Sequence, residues 1–518
     1  MFFLEINYLS IFEAAVTSIL SLVLLLAVSR HLWTLRWKRS RDRRKSLPLP
    51  KGSMGWPFFG ETLHWLIQGS DFHSSRREKY GNVFKTHLLG KPVIRVTGAE
   101  NIRKILLGEH HLVRTQWPQS IQIILGSNAL VNSMGELHRQ RRKIMSRVFS
   151  HSALESYIPR IQEAVSRELQ SWCREPGAVA VYSAAKVLTF RIAARILLGP
   201  NLEEKQLKHL AQTFEQLVEN LFSLPLDIPF SGLRKGIKAR DTLHEHMEKA
   251  ITEKLQKRES EGAGDALDFI INSAKEHGKE FSMQELKESA VELIFAAFST
   301  TASASTSLIL LLLKHPAALC KIRQEMDSQG MGKQCRCLLS PATGKVGAAC
   351  ARPAVLSLER LNCLRYLDCV VKEVLRLLPP VSGGYRTALQ TFELDGCQIP
   401  KGWSVMYSIR DTHETAAVYQ NSDLFDPDRF SSERDESKWS RFNYIPFGGG
   451  VRSCIGKELA RVILKTLAIE LVGTATWELA TPSFPKMQTV PIVHPADGLQ
   501  LYFHFLAPCT GSNVQQNA

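Results

Sequence analysis

The sequence predicts a mainly α-helical body with a small β region, carried behind one N-terminal transmembrane helix. Three observations support that expectation. The stretch Ala14 to Ser29 contains no charged side chain, and with Tyr8 to Phe12 it reaches the length of one helical span if Glu13 sits near the interface. From about Glu136 to Lys314 the helical period dominates, broken at the proline-containing stretch Ser223 to Pro229. β-type runs are few and short: Asn82 to Thr86, Val93 to Val96, Thr391 to Leu394 and Ser404 to Ser408.

Composition agrees with this class. The chain has 518 residues, 44% of them hydrophobic and 22% charged, which excludes global disorder, collagen, coiled-coil rods and a polytopic membrane protein. The formal charge is +15, and the basic bias would suit nucleic acid, anionic lipid or an acidic protein equally well. Ten cysteines are scattered without a paired framework, so a reducing compartment is expected. Cys335 and Cys337 lack a neighbouring histidine or second pair and read as loop thiols rather than a zinc site.

At the N-terminus, Arg30, Arg36, Lys38, Arg39, Arg41, Arg43, Arg44 and Lys45 follow the apolar run. A cleavable signal peptide reverses that order. The basic block therefore acts as a stop-transfer segment and places the body in the cytosol, with residues 1–45 as membrane anchor. Trp33 and Trp37 suit an interfacial belt. Residues 46–60 hold Leu47-Pro48-Leu49-Pro50-Lys51-Gly52 and read as a hinge, and the catalytic body is expected over 61–508.

Within the body, Glu61 to Tyr80 reads as one helix. The run Gln284 to Lys314 lacks proline and glycine, so it predicts one helix of about 31 residues and about 46 Å. Residues 327–355 lack periodicity and read as a surface insertion loop. Leu361 to Leu378 is helical and stops at Pro379-Pro380. The loop Phe447 to Gly456 precedes a further helix to about Val472, and 509–518 reads as a flexible tail.

The strongest chemical signal is Phe447-Gly448-Gly449-Gly450-Val451-Arg452-Ser453-Cys454-Ile455-Gly456. Three consecutive glycines let backbone amides approach whatever they surround. A cysteine ahead of a helix and near an arginine favours thiolate, which suits an axial ligand of heme iron. A buried structural cysteine beside a glycine turn is the other reading. His138 and Arg142 are four apart on a helix and share a face, while Arg139, Arg141 and Lys143 read as solvated or as a basic face for a redox partner. Glu373 and Arg376 have the spacing of an ordinary helical ion pair. Seven of the nine residues from Ser299 to Ser307 are Ser or Thr; their hydroxyls can bond to the preceding turn, and small side chains admit either a flat cofactor or a packed helix.

The cysteine loop resembles the heme-binding signature of the cytochrome P450 superfamily, matched at Phe447, Gly450, Arg452, Cys454 and Gly456. That resemblance implies the P450 fold and heme b with Cys454 as axial thiolate and metal ligand, with Gly448 lining the loop. Glu373, Arg376 and Arg429 of Pro427-Asp428-Arg429-Phe430 then resemble the family's buried triad supporting that loop. His138 stands where the family has tryptophan, and it joins Arg142, Arg386 and Arg452 as contacts of the heme propionates. Thr300, flanked by Ser299 and Thr301, resembles the oxygen-activation segment; Ser299 replaces the usual acid, so proton delivery would rely on Thr300 and water.

Four further stretches, Pro57 to Thr62, Glu109 to Pro118, Ser382 to Thr387 and Phe392 to Gly396, resemble the retinoic acid hydroxylases of cytochrome P450 family 26. Leu47 to Trp56 is most similar to subfamily C. Membership implies hydroxylation of retinoic acid, chiefly at ring carbon 4, with electrons from NADPH through cytochrome P450 reductase. It also implies a single-pass protein of the endoplasmic reticulum membrane with a cytosolic catalytic domain and no nucleic-acid partner. Trp117, Phe222, Phe295, Phe298 and Val381 are expected pocket walls by placement in relatives, with plain core as the other reading of each; Arg95 is one candidate carboxylate anchor, and Arg76 or Arg77 is the alternative. Two rival readings are a heme-thiolate monooxygenase or isomerase acting on another lipid or sterol, and a non-enzymatic heme or lipid carrier.

Overall fold

The N-terminal helix runs Tyr8–Arg39 and does not stop at the basic block: Arg36, Lys38 and Arg39 occupy its last turn, where cations suit the helix dipole. The structure, a computed structural model, describes residues 8–69, 71–198, 204–257, 265–331 and 355–506. Phe12–Arg39 is apolar, unburied and long enough to cross a bilayer. It is a candidate membrane anchor. Its two tryptophans do not stand free as a belt: Trp33 packs on His87 with ring centroids 5.0 Å apart, and Trp37 on Trp403 at 5.6 Å.

The chain divides into two units, Met1–Gln116 with Gly383–Asp411, and Trp117–Ser382 with Thr412–Ala518. The smaller holds a five-stranded sheet in the order Val83–Leu88, Lys91–Val96, Ser404–Ser408, Gly383–Ala388, Val113–Thr115. The first two strands form a hairpin that ends with Leu88 opposite Lys91. Leu89 and Gly90 between them both have positive φ, which matches the twist of a two-residue hairpin turn.

The stretch 46–60, expected as a hinge, is hydrogen-bonded to this unit, both at the first strand of the sheet and at a separate hairpin, Phe392–Leu394 with Cys397–Ile399. Gln398 donates its backbone N–H to the Pro48 carbonyl at 2.9 Å, and Lys85 donates to Lys51 at 2.8 Å. A Cβ on Gly52 would lie 2.0 Å from the Lys85 carbonyl, so only glycine allows this approach. Likewise Glu61 to Tyr80 is two helices, Thr62–Gln68 and Asp71–Tyr80, because the chain turns at Gly69 with φ +55°.

The larger unit is built around the helix Met283–Lys314. Its start is fixed by a capping box in which Ser282 and Glu285 satisfy each other's backbone N–H groups. The central helix packs against Val181–Leu198, Gly232–Lys257, Arg365–Leu377 and Lys457–Thr474. It also has the length and hydropathy of a span, but most of it is buried, so it is a core helix. The helix expected over Leu361 to Leu378 is two, Leu358–Cys363 and Arg365–Leu377.

The insertion expected over 327–355 begins later than expected, since the helix Pro316–Ser328 takes its first two residues. Residues 332–354 and the tail 509–518, with Cys335 and Cys337, lie outside the described residues.

Candidate functional site

The cysteine loop is shaped by its own backbone. Gly448 and Gly450 adopt φ +66° and +67°, a conformation that glycine takes without strain. The Cys454 N–H donates to the Phe447 carbonyl at 2.9 Å, and the Gly448 N–H to Ile445 at 2.8 Å. These bonds close a compact turn ahead of the helix Lys457–Thr474.

Cys454 keeps accessible surface, yet burial is the largest cause pushing its thiol above the ordinary range. The sulfur is thus closely surrounded and still reachable. The Gly456 N–H, Arg142 and Lys457 pull the other way. Without a cation at the sulfur, burial outweighs the thiolate character expected from sequence. A metal ion reverses that balance, because a coordinating thiol is deprotonated outright.

Arg142, on the helix Gly135–Met145, donates to the Ser453 carbonyl at 2.7 Å, and its own charge is felt at Cys454. Arg452 donates to the Ser133 carbonyl at 2.6 Å. His138 is buried on the same helix as Arg142. Arg141, expected to be solvated, is buried as well and binds Asn128, Ser133 and Glu285.

Behind the loop lies the triad. Glu373 accepts two bonds from Arg376, at 2.7 and 2.9 Å, and meets Arg429 at 3.4 Å. All three side chains are at most 2% exposed. Arg376 also binds the Ser422 and Leu424 carbonyls, and Arg429 those of Gln420 and Asn421. Both charges are therefore paired and hydrogen-bonded, as burial demands.

On the central helix, Ala296 is exposed and Ser299 and Thr300 are half-buried, although the helix crosses a packed core. This face of the helix is therefore left unpacked. Thr300 Oγ1 donates to the Ala296 carbonyl at 2.6 Å, and Thr301 is buried. Phe295, half-buried, lies one turn before Ser299.

Three expectations change. Phe298 does not face a pocket: it is 2% exposed and packs on Phe190 and Phe214 with centroids 6.3 and 5.3 Å away, because it lies on the opposite side of the helix from Ala296. In the smaller unit, Arg386 is spent on Glu109 at 2.7 Å, and Arg95 on Asp411 at 2.8 Å. Each arginine is buried with its charge already met, which removes the reason to give either one a ligand carboxylate. Among the remaining wall residues, Trp117 is half-buried, while Val381 and Phe222 are 37% and 56% exposed.

A closely surrounded but reachable thiol, arginines beside it and a hydroxyl-bearing helix face left unpacked suit a heme with an iron–thiolate bond. Among the described residues no His, Cys, Asp and Glu cluster offers a rival metal site. Comparison with known proteins narrows this class. The cytochrome P450 family model matches residues 50–503. Human cytochrome P450 26C1 is 67% identical over 518 residues, with 99% of each chain covered. Mouse cytochrome P450 26B1 is 57% identical over 503 residues, covering 97% of this chain and 96% of that one. A solved cyanobacterial structure, CYP120A1 with retinoic acid bound, aligns with TM-score 0.78 at 34% identity, covering 89% of this chain and 100% of that one. The chain belongs to the cytochrome P450 superfamily and, within it, to family 26, subfamily C. It has the fold of a P450 monooxygenase.

Proposed function

We propose that this protein hydroxylates retinoic acid, chiefly at ring carbon 4, and so inactivates the retinoid. The observation that carries the reading is its similarity, over nearly the whole chain, to family 26 relatives together with a solved relative that holds retinoic acid. Electrons come from NADPH through cytochrome P450 reductase. The candidate anchor holds the enzyme as a single-pass protein of the endoplasmic reticulum, with residues 1–45 as anchor segment and the catalytic body in the cytosol.

Cys454 would hold the iron of heme b through its thiolate, and the bound heme would supply oxygen activation and insertion into a C–H bond. Arg142, Arg452 and His138 would bind its propionates; Arg142 is half-buried, which would strengthen its pairing with a carboxylate. Glu373, Arg376 and Arg429 keep the cysteine loop in one geometry. Thr300 donates into its own helix and keeps lone pairs free to accept a proton-bearing water, with Ser299 and Thr301 beside it. Trp117, Phe222, Phe295 and Val381 supply apolar contacts for the polyene.

The test is NADPH- and reductase-dependent consumption of all-trans-retinoic acid by the membrane-bound protein, with products identified by mass spectrometry. A 4-hydroxylated product is expected. No consumption by protein with an intact thiolate spectrum would remove retinoic acid as substrate while leaving the heme assignment standing.

A further inference from the structure

Arg452, two residues before Cys454, is seated on a loop that carboxylates of the central helix grip. Glu292 accepts the Leu130 N–H on one oxygen at 2.6 Å and the Val131 N–H on the other at 2.7 Å. One turn earlier, Glu288 accepts the Asn128 N–H at 2.7 Å. A Cβ on Gly126, whose φ is +89°, would lie 2.2 Å from the Glu288 carboxyl carbon, so the loop enters by a close approach that glycine alone permits.

Arg141 fastens the same loop from its own helix. It donates to the Asn128 side chain at 2.9 Å, to the Ser133 hydroxyl at 3.0 Å and to Glu285 at 3.0 Å. The far end of the loop is the seat of Arg452, which binds the Ser133 carbonyl. The residue after Arg141 is Arg142, bound to the Ser453 carbonyl. A continuous path therefore runs from Glu288 and Glu292 through residues 126–133 and Arg141 to both arginines.

These carboxylates are costly. Glu288 and Glu292 are 4% and 5% exposed, and burial raises the Glu292 carboxyl to about 7 against the pull of two amides and Arg141. Apolar side chains would fill that volume at lower cost, but they could not hold three backbone N–H groups in register.

We propose that Glu292, assisted by Glu288, is a positioning residue for the heme-flanking arginines: it fixes loop 126–133 and through it Arg452 and Arg142, touching neither Cys454 nor substrate. The inference rests on the reading of Cys454 as heme ligand. Weakening this grip should change how tightly the heme is held and how its charge is balanced, in addition to any effect on turnover.

The experiment uses the full-length holoprotein in membranes and its Glu292→Gln, Glu292→Ala and Glu288→Gln variants. Three quantities are read: hydrogen exchange at the amides of Asn128, Leu130 and Val131, the rate of heme transfer to an acceptor apoprotein, and the heme reduction potential. Glu292→Ala should speed exchange at Leu130 and Val131 by about tenfold or more, the scale of a lost charge-assisted hydrogen bond. Heme transfer should quicken and the potential shift with it. Glu292→Gln should show a smaller change of the same sign, since it keeps one acceptor, and Glu288→Gln a change centred on Asn128. If Glu292→Ala does not fold, the two glutamine variants carry the test. Faster exchange with unchanged heme transfer and potential would overturn the proposal, as would unchanged exchange. The wild-type ferrous carbonmonoxy spectrum separates the two readings. A thiolate band with indifferent variants sinks only the positioning role; a missing band sinks the ligand assignment and this inference together.

Discussion

His413 lies with its Nδ1 3.0 Å from the backbone carbonyl of Arg376. Its other nitrogen accepts the Ile445 N–H at 2.9 Å, so the ring is neutral with its proton on Nδ1. One imidazole thus joins the triad helix to the residue whose carbonyl anchors Gly448. It is fully buried, and burial pushes it down to about 3.

That depression makes His413 an acid-sensitive element. The unfolded chain binds a proton at this position below about pH 6.5 while the folded protein does not, so stability is complete above that value and lost as pH falls toward 3. One such proton contributes a slope of about 1.4 kcal/mol per pH unit. His413→Gln keeps a donor and an acceptor but does not titrate. Urea unfolding of the holoprotein between pH 6 and 4 should therefore show a slope shallower by about that amount in the variant, and an unchanged slope would exclude the buried neutral ring.

Glu373 is the carboxylate that holds Arg376, while Arg429 is shared with Glu436 at 3.3 Å, so its loss strands the buried Arg376 charge and loosens Arg429. Glu373→Gln is expected to cost about 3–5 kcal/mol of unfolding free energy and to lower heme incorporation during expression. Arg376→Lys should also be destabilising, because a lysine cannot reproduce the paired bonds at 2.7 and 2.9 Å. Unfolding midpoints of purified holoproteins decide it.

What could be read from the sequence was local. The cysteine loop announces itself because its turn needs positive φ at two positions only two residues apart, Gly448 and Gly450, and the triad helix because Glu373 and Arg376 are one turn apart. The central helix was legible because nothing breaks it. What escaped was non-local. Arg141 looks like any solvated arginine until loop 126–133 folds over it, and Glu292 finds its partners about 160 positions away, with no pattern between to signal them. The partners of Arg386 and Arg95 escaped for the same reason, since Glu109 and Asp411 meet them only in the folded sheet unit. The burial of Phe298 escaped because the helix is apolar on several sides, so periodicity could not tell its packed face from its unpacked one.

Thr300 is expected to govern coupling rather than binding. Its hydroxyl is oriented by the bond to Ala296, and Ser299 offers only a second hydroxyl where an acid would deliver protons outright. In Thr300→Ala, product formed per NADPH should fall about tenfold, short of the hundredfold or more for a sole proton carrier, with hydrogen peroxide rising in step. Thr300→Ser should recover most of the coupling. Parallel assays of NADPH, peroxide and product give the ratio, and full coupling in the alanine variant would remove Thr300 from proton delivery.

Cys454 should behave as two different groups with and without its cofactor. In heme-stripped protein the sulfur keeps accessible surface, but burial holds its thiol above the ordinary range. The reactive form is the thiolate, so alkylation at neutral pH should be slower than at a free cysteine and should climb only at more alkaline pH. In the holoprotein the iron holds the sulfur as thiolate while blocking it, so modification should stop altogether. Mass spectrometry of the peptide bearing Cys454, across pH and with and without heme, reads both states. Cys454→Ala should abolish the thiolate-type absorbance of the ferrous carbonmonoxy form. Rapid neutral-pH alkylation of the stripped protein would contradict the buried thiol, and equal alkylation with heme bound would contradict ligation.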